Sequence, residues 1–89
     1  MVVDLGFELS YLLSDALGRR VEVQGYSFDP GKALLCIDAL VEGRGPRKAC
    51  IEVKPCRGLR EEARWARCVS KTLVHASGLV ERLAGLLEG

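Results

Sequence analysis

The stretch RKACIEVKP, residues 47–55, decides which side of a sheet this chain can bury. Its apolar and polar residues alternate, which is the period of a β-strand with one buried face. The two alternating sets are Ala49, Ile51 and Val53 on one side, and Cys50, Glu52 and Lys54 on the other. Because only one side is apolar, helices are expected to pack on that side alone.

Two further strands are predicted before this stretch. ALLCIDALVE (33–42) is apolar on both faces except at Asp38, which is typical of a central strand. RRVEVQGYSF (19–28) alternates up to Gly25, where the pattern slips by one residue and indicates a β-bulge.

Turn residues join the three strands. DPGK (29–32) and GRGP (43–46) both carry the proline and glycine that tight turns favour. With GRGP as the turn, Glu42 faces Arg47 across the hairpin. Cys50 is then expected to face Ala39 and not Cys36.

Helical patterns flank the strands on both sides. The first helix begins with Asp4 as its N-cap, repeats leucines at helical spacing and stops at Gly18. A second helical pattern runs from Gly58 to Leu87, with a break expected at Ser77–Gly78. The prediction is therefore one α+β domain over residues 1–89, of order αβββα, with both helices on one face of the sheet and residues 78–89 as a projecting or kinked helical end.

The segment CRGLREEARWARC (56–68) begins a line of positive charge on the second helix. At about 100° per residue, its basic side chains share one face, so they form a ridge that suits phosphate groups. The simpler interpretation of the same pattern is a solvent-exposed helix face that binds nothing. The predicted polyanion- or partner-binding residues are Arg57, Arg60, Arg64, Arg67 and Lys71, joined by Arg44, Arg47 and Lys48.

The charges and the last leucines both point to self-association. Residues 1–42 carry a net charge of −4 and residues 43–71 a net charge of +6, which offers attraction between copies. Apolar residues past Gly78 also exceed what one side of a small helix needs. The predicted dimer interface comprises Leu79, Leu83, Leu86 and Leu87.

Four cysteines stand in a chain with no asparagine, one glutamine and one methionine. Depletion of these residues favours a thermophilic source, in which intracellular disulfides occur. Buried free thiols remain the alternative. If disulfides form, Cys36 or Cys50 is expected to pair with Cys56 or Cys68, because Cys56 and Cys68 would lie about 18 Å apart on one helix.

The element order resembles the double-stranded RNA-binding domain over most of the chain, although RGLREEARWAR (57–67) spaces its arginines differently from that family's lysine-rich second helix. The chain also looks loosely like the small dimerising subunit of the KEOPS tRNA-modification complex. The first resemblance implies RNA binding and the second implies a dimeric subunit.

Features of catalysis, of metal binding and of membrane insertion are weak. One histidine, no paired metal-ligand spacing and no glycine-rich phosphate loop predict a protein without enzymatic activity, cofactor or metal. No run of about 18 apolar residues occurs, and MVVDLGFELS (1–10) lacks the basic start of a signal peptide, so we expect a cytoplasmic protein. The predicted function is a dimerising subunit or adaptor of an intracellular assembly, with RNA binding as the alternative.

Overall fold

The computed structural model describes residues 4–89, apart from the side chain of Ser77. Three helices pack on one face of a three-stranded antiparallel sheet of order β1-β2-β3. The elements are α1 Leu5–Leu17, β1 Val21–Asp29, β2 Leu34–Val41, β3 Gly45–Glu52, a 3-10 turn Lys54–Cys56, α2 Glu62–His75 and α3 Ser77–Glu88. The predicted α+β class and helix–meander–helix order are confirmed, and the second helical region is two helices.

Helix α1 begins and ends at the predicted residues. The carboxylate of Asp4 accepts a hydrogen bond from the Phe7 N–H at 3.0 Å, which satisfies one of the free donors of the first turn. Gly18 adopts the left-handed conformation, with φ 67°, and its N–H bonds to the carbonyl of Ser14. The helix buries Leu5, Leu9 and Leu13 against the sheet.

The bulge in β1 is also confirmed. The register with β2 shifts between Val23 and Gly25, so that Tyr26 and Phe28 return to the core side. There the indole of Trp65 stacks on Phe28, with ring centroids 5.3 Å apart, and meets Tyr26 edge-on at 5.9 Å. Trp65 thereby seals the core between α2 and β1.

The predicted register of β2 with β3 is wrong. Val41 pairs with Gly45, and the turn consists of residues 42–44, closed by a hydrogen bond from the Arg44 N–H to the Val41 carbonyl. Gly43 has a φ of 80°, which the third position of a type II turn requires. Cys36 consequently faces Cys50 directly, and the two form a disulfide with a Cα–Cα distance of 4.0 Å.

The second disulfide joins Cys56 to Cys68, a pairing that the sequence argument excluded. Both cysteines were expected on one helix, but α2 begins only at Glu62. Gly58, with a φ of 85°, turns the chain back after the 3-10 turn, so the Cα atoms of the two cysteines lie 5.7 Å apart. Both disulfides confirm that the cysteines are oxidised in pairs, with a different connectivity from the one expected.

The helical pattern past Gly58 divides at Ala76, one residue before the predicted break. An unbroken helix over those 30 residues would measure about 45 Å, whereas the longest dimension of the fold is 36 Å. Helix α3 folds back and packs against β3 and α1. Its kinked junction brings Leu83 and Leu87 into the core, where both are fully buried.

Candidate interaction surface

The predicted cationic residues do not form one ridge. Only Arg64, Arg67 and Lys71 lie on α2, at helical spacing and exposed. Arg57 and Arg60 precede the helix, because the chain turns at Gly58 and α2 starts at Glu62. The prediction that the helix already includes Arg57 and Arg60 is therefore wrong.

The remaining cationic residues lie at the other end of the sheet. Arg44 is in the β2–β3 turn, and Arg47 and Lys48 are in the first half of β3. Eight strand residues span about 26 Å, so Arg44 is separated by about the length of β3 from Glu52, the partner of Arg57, and Arg47 and Lys48 by about half that length. Arg47 points to the core side and is half-buried, whereas Lys48 points to the open face of the sheet.

Acidic neighbours neutralise part of the positive charge. Glu52 pairs with Arg57 at 3.3 Å and with Lys54 at 3.9 Å, and Arg64 pairs with Glu61 at 3.5 Å. These pairs are solvent-exposed, so each contributes only about 0–1 kcal/mol to stability. Within residues 4–89, no ion pair involves Arg67 or Lys71. The cationic surface of α2 is thus limited to three side chains, two of them unneutralised in this part of the chain.

The predicted interface leucines have different environments. Leu83 and Leu87 belong to the chain's own core and offer no surface to a partner. Leu79 is partly buried against that core. Leu86 is 53% exposed and remains available for contact. The surplus apolar surface that the sequence indicated is therefore small, because α3 folds back onto the sheet.

The first half of the outer edge of β1, before the bulge, is closed by side chains of α1. The Ser10 hydroxyl accepts a hydrogen bond from the Val23 N–H at 2.9 Å. The Ser14 hydroxyl accepts one from the Val21 N–H, also at 2.9 Å, and donates one to the Val21 carbonyl at 3.2 Å. These backbone groups point away from β2, so the two serines occupy positions that another strand would otherwise take.

The outer edge of β3, in contrast, has backbone groups without hydrogen-bond partners in residues 4–89. The 4.0 Å separation of Cys36 and Cys50 identifies them as a non-hydrogen-bonded pair, because hydrogen-bonded pairs lie about 5.5 Å apart. Alternate residues of β3 therefore direct their N–H and C=O groups away from β2: these are Lys48, Cys50 and Glu52. Within residues 4–89, these N–H groups donate no hydrogen bond. We call these three residues the open edge.

Helix α3 lines one side of the open edge. A groove there is lined by Leu34, Cys50, Ile51, Glu52, Arg82 and Leu86. The exposed part of Leu86 and the Arg82 guanidinium thus lie beside unpaired strand backbone. An apolar side chain next to free N–H and C=O groups is the arrangement by which a sheet accepts an additional strand.

Other kinds of site find little support in the described residues. Across residues 4–89, no three His, Cys, Asp or Glu side chains are grouped as metal ligands would be. No helix in this range is long and apolar enough to cross a membrane. Burial raises the pKa of Tyr26 above its usual 10.0, with smaller contributions from the carboxylates of Glu62 and Asp4. Tyr26 packs on Trp65, and its position identifies a core residue.

Of the residues that define the two edges, only Lys48 was selected from the sequence, as a polyanion- or partner-binding residue. Ser10 and Ser14 recur at helical spacing between the buried leucines, and that pattern was a usable signal for polar contact with a neighbouring strand. Glu52 and Arg82 carried no local signal, because the open edge depends on the true register of β3. Comparison with protein-family models, with curated proteins and with solved structures finds no significant match.

Proposed function

We propose that this protein is a non-enzymatic homodimerising module, in which the open edge of β3 pairs with the same edge of a second copy. The dimer would act as a small subunit of a larger intracellular assembly. The observation that carries the proposal is the contrast between a β1 edge whose first half is closed by serines and a β3 edge whose central part is left unpaired.

A second copy fits this edge for two reasons. The open edge carries Lys48 and Glu52 on the same side of the strand, so an antiparallel copy can present opposite charges to both. Leu86 lies beside the strand and would bring apolar surface to the contact.

Solution mass tests the proposal. The wild-type protein is expected to sediment at twice the 9.7 kDa of the single chain at about 100 µM. Lys48→Pro is expected to give the monomer with its circular dichroism unchanged, because the proline removes an N–H that has no partner in its own chain. Pro46 already occupies an equivalent position on this edge.

Lys48→Ala is the matched control. It removes the charge but keeps the N–H, so dimers are expected to persist with a modestly higher dissociation constant. A wild-type chain that stays at 9.7 kDa at several hundred micromolar would reject the proposal. Wild-type mass in the proline variant would show that the dimer uses another surface.

Polyanion binding is the second candidate function. It is supported by the exposed row of Arg64, Arg67 and Lys71 on α2, which presents guanidinium and ammonium groups along one line. The row is shorter than the ridge expected from sequence, so fewer phosphates can be contacted.

Electrophoretic mobility shift with a double-stranded RNA of about 20 base pairs tests this candidate at two salt concentrations. Binding should weaken steeply with salt and disappear in the double variant Arg64→Glu, Arg67→Glu. Arg20→Glu with Arg44→Glu makes the same change in net charge at two exposed arginines outside α2 and is the control. An unshifted RNA at low salt would exclude RNA binding by this surface.

A further inference from the structure

We infer that the two copies pair in one register, with Cys50 of each strand on the two-fold axis and Lys48 of each facing Glu52 of the other. This inference rests on the proposed dimer and specifies how its strands align. In this register the open edges form a continuous antiparallel ladder, and the two three-stranded sheets become one sheet across the axis.

Backbone geometry restricts the registers that can occur. A hydrogen-bonded pair requires that both residues direct their N–H and C=O groups outward. Only residues of the same alternation as Cys50 do so on β3, since its partner Cys36 lies across a non-hydrogen-bonded pair. Lys48, Cys50 and Glu52 must therefore face residues of this same set in the second copy.

Charge selects among the registers that remain. An axis at Lys48 or at Glu52 places two like charges opposite each other. An axis at Ala49 faces Lys48 with Cys50 and leaves both charges without a partner. An axis at Ile51 faces Glu52 with Cys50 and places Lys48 opposite Lys54, beyond the end of the strand, so neither charge gains an opposite partner. Only an axis at Cys50 gives opposite charges at both symmetry-related positions.

The structure also limits the length of the pairing. Pro46 has no N–H to donate, and beyond Glu52 the chain leaves the strand for the 3-10 turn. The ladder therefore runs from Lys48 to Glu52, with Cys50 at its centre. The side chains of these residues share the open face with the Cys36–Cys50 disulfide, which lies within each copy and leaves the axis free.

Charge reversal tests the register directly. In a homodimer of Lys48→Glu, the new carboxylate at position 48 faces Glu52 of the other copy. In a homodimer of Glu52→Lys, the new ammonium group at position 52 faces Lys48 of the other copy. Each variant alone should weaken dimerisation roughly tenfold to a hundredfold. Mixed together, the two variants place an acid opposite a base at every position, so heterodimers should form with about wild-type affinity.

Native mass spectrometry of the mixture, with one variant mass-labelled, reads out the species. Predominant heterodimer supports the register. A statistical mixture, with both single variants still dimeric, would overturn the register while leaving the homodimer in place. A monomeric wild-type protein would instead overturn the proposed function itself. Circular dichroism of each variant checks folding, because Lys48 also pairs with Asp38 at 3.8 Å and Glu52 with Arg57.

Oxidative cross-linking gives an independent measurement. Cys36→Ser frees the Cys50 thiol on the axis, where the facing Cα atoms would lie about 5.5 Å apart, within disulfide range. With glutathione disulfide as oxidant, two thiols lose two protons and two electrons to form the cross-link, and the oxidant is reduced to two glutathione molecules.

Cys50→Ser is the matched control for the cross-link. It frees Cys36 on the central strand, where the two copies would be about 14 Å apart, and no covalent dimer should form. A covalent dimer in Cys36→Ser alone, on a non-reducing gel, supports the axis at Cys50. Equal cross-linking in both variants, or none in either, would contradict it.

Discussion

The two edges of the sheet are built differently. The first half of β1 is covered by α1, whose Ser10 and Ser14 bond to outward backbone groups that a neighbouring strand would need. The central part of β3 has no such cover within residues 4–89, although α3 lies beside it. The β1 edge is therefore closed over its first half by its own chain, and the β3 edge retains the geometry for accepting a strand.

This asymmetry determines what kind of assembly can form. A sheet with two open edges can add copies at both sides and grow without limit. A sheet with one closed edge can add only one neighbour, and pairing of like edges about a two-fold axis closes the assembly at a dimer. The serines of α1 are thus as important to the proposed dimer as the open edge itself.

The largest expected effect comes from proline in β3. The N–H of Ala49 points to β2, so Ala49→Pro removes a ladder hydrogen bond and should lower the free energy of unfolding by about 3 kcal/mol or more. Lys48→Pro, one residue away on the open edge, should cost less than about 1 kcal/mol. Urea unfolding of both variants measures the difference. Equal losses would show that the outward alternation assigned to β3 is incorrect.

Loss of the Cys36–Cys50 disulfide is expected to have the next largest effect. The bond closes a loop with a sequence separation of 14, so replacing both cysteines by serine should lower stability by about 3 kcal/mol. Cys50 is exposed on the open face, whereas Cys56 of the other disulfide is fully buried.

A mild reductant should therefore open Cys36–Cys50 before Cys56–Cys68. Alkylation followed by peptide mass mapping identifies which thiols appear first. Earlier labelling of Cys56 would contradict the burial that the fold assigns to it.

The course of β3 shows where sequence reasoning succeeded and failed. The alternation in residues 47–55 correctly assigned Ala49 and Ile51 to the core, because burial depends on a period that is visible locally. Its register with β2 was wrong, because GRGP offers two glycines and the choice between them depends on backbone conformation. Gly43 and Gly45 both have positive φ, and the turn consists of residues 42–44 and not of residues 43–46.

Opening the closed edge should have a smaller effect on stability. Ser10→Ala together with Ser14→Ala leaves the part-buried N–H groups of Val21 and Val23 without partners, at a cost of about 1 kcal/mol per site. Thermal unfolding measures the loss, and Ser27→Ala on the open face is the control with no expected change.

The same double variant also tests the closure of the dimer. With β1 uncovered, species larger than a dimer should appear in sedimentation as the concentration rises. The double variant could lose the predicted stability and still sediment as a dimer. That result would show that other features of β1, such as its bulge, are sufficient to block pairing with another strand.

The candidate site could be predicted only in part. Self-association was inferred from the charge asymmetry and the C-terminal leucines, yet Leu83 and Leu87 are core residues that pack beneath β3. A helical wheel shows that these leucines share a face but cannot show what covers it. The break at Ala76 decides this, and it occurs without a proline and without a side-chain hydrogen bond from the cap residue.

The smallest expected effect concerns Tyr26, which lies in β1 beyond the part covered by the serines. Burial raises the pKa of its hydroxyl above 10.0, and the nearby carboxylates of Glu62 and Asp4 raise it further. Below the pKa of the unfolded chain, the Tyr26 hydroxyl is protonated in both the folded and the unfolded state. Its contribution to the free energy of unfolding is then fully present. Above pH 10 or so the unfolded chain loses its proton first, so stability should fall as the pH rises towards the folded pKa.

Tyr26→Phe should remove this alkaline decline while keeping the ring against Trp65. Urea unfolding between about pH 8 and about pH 11 measures the slope in wild type and variant, and their difference isolates Tyr26 from the other groups that titrate there. Tyr11→Phe, at a ring that is 68% exposed on α1, is the matched control and should retain the wild-type slope. If Tyr26→Phe also retains the wild-type decline in stability with pH, water reaches the ionised Tyr26 of the wild type in the folded state. The half of β1 beyond the bulge would then be open to solvent.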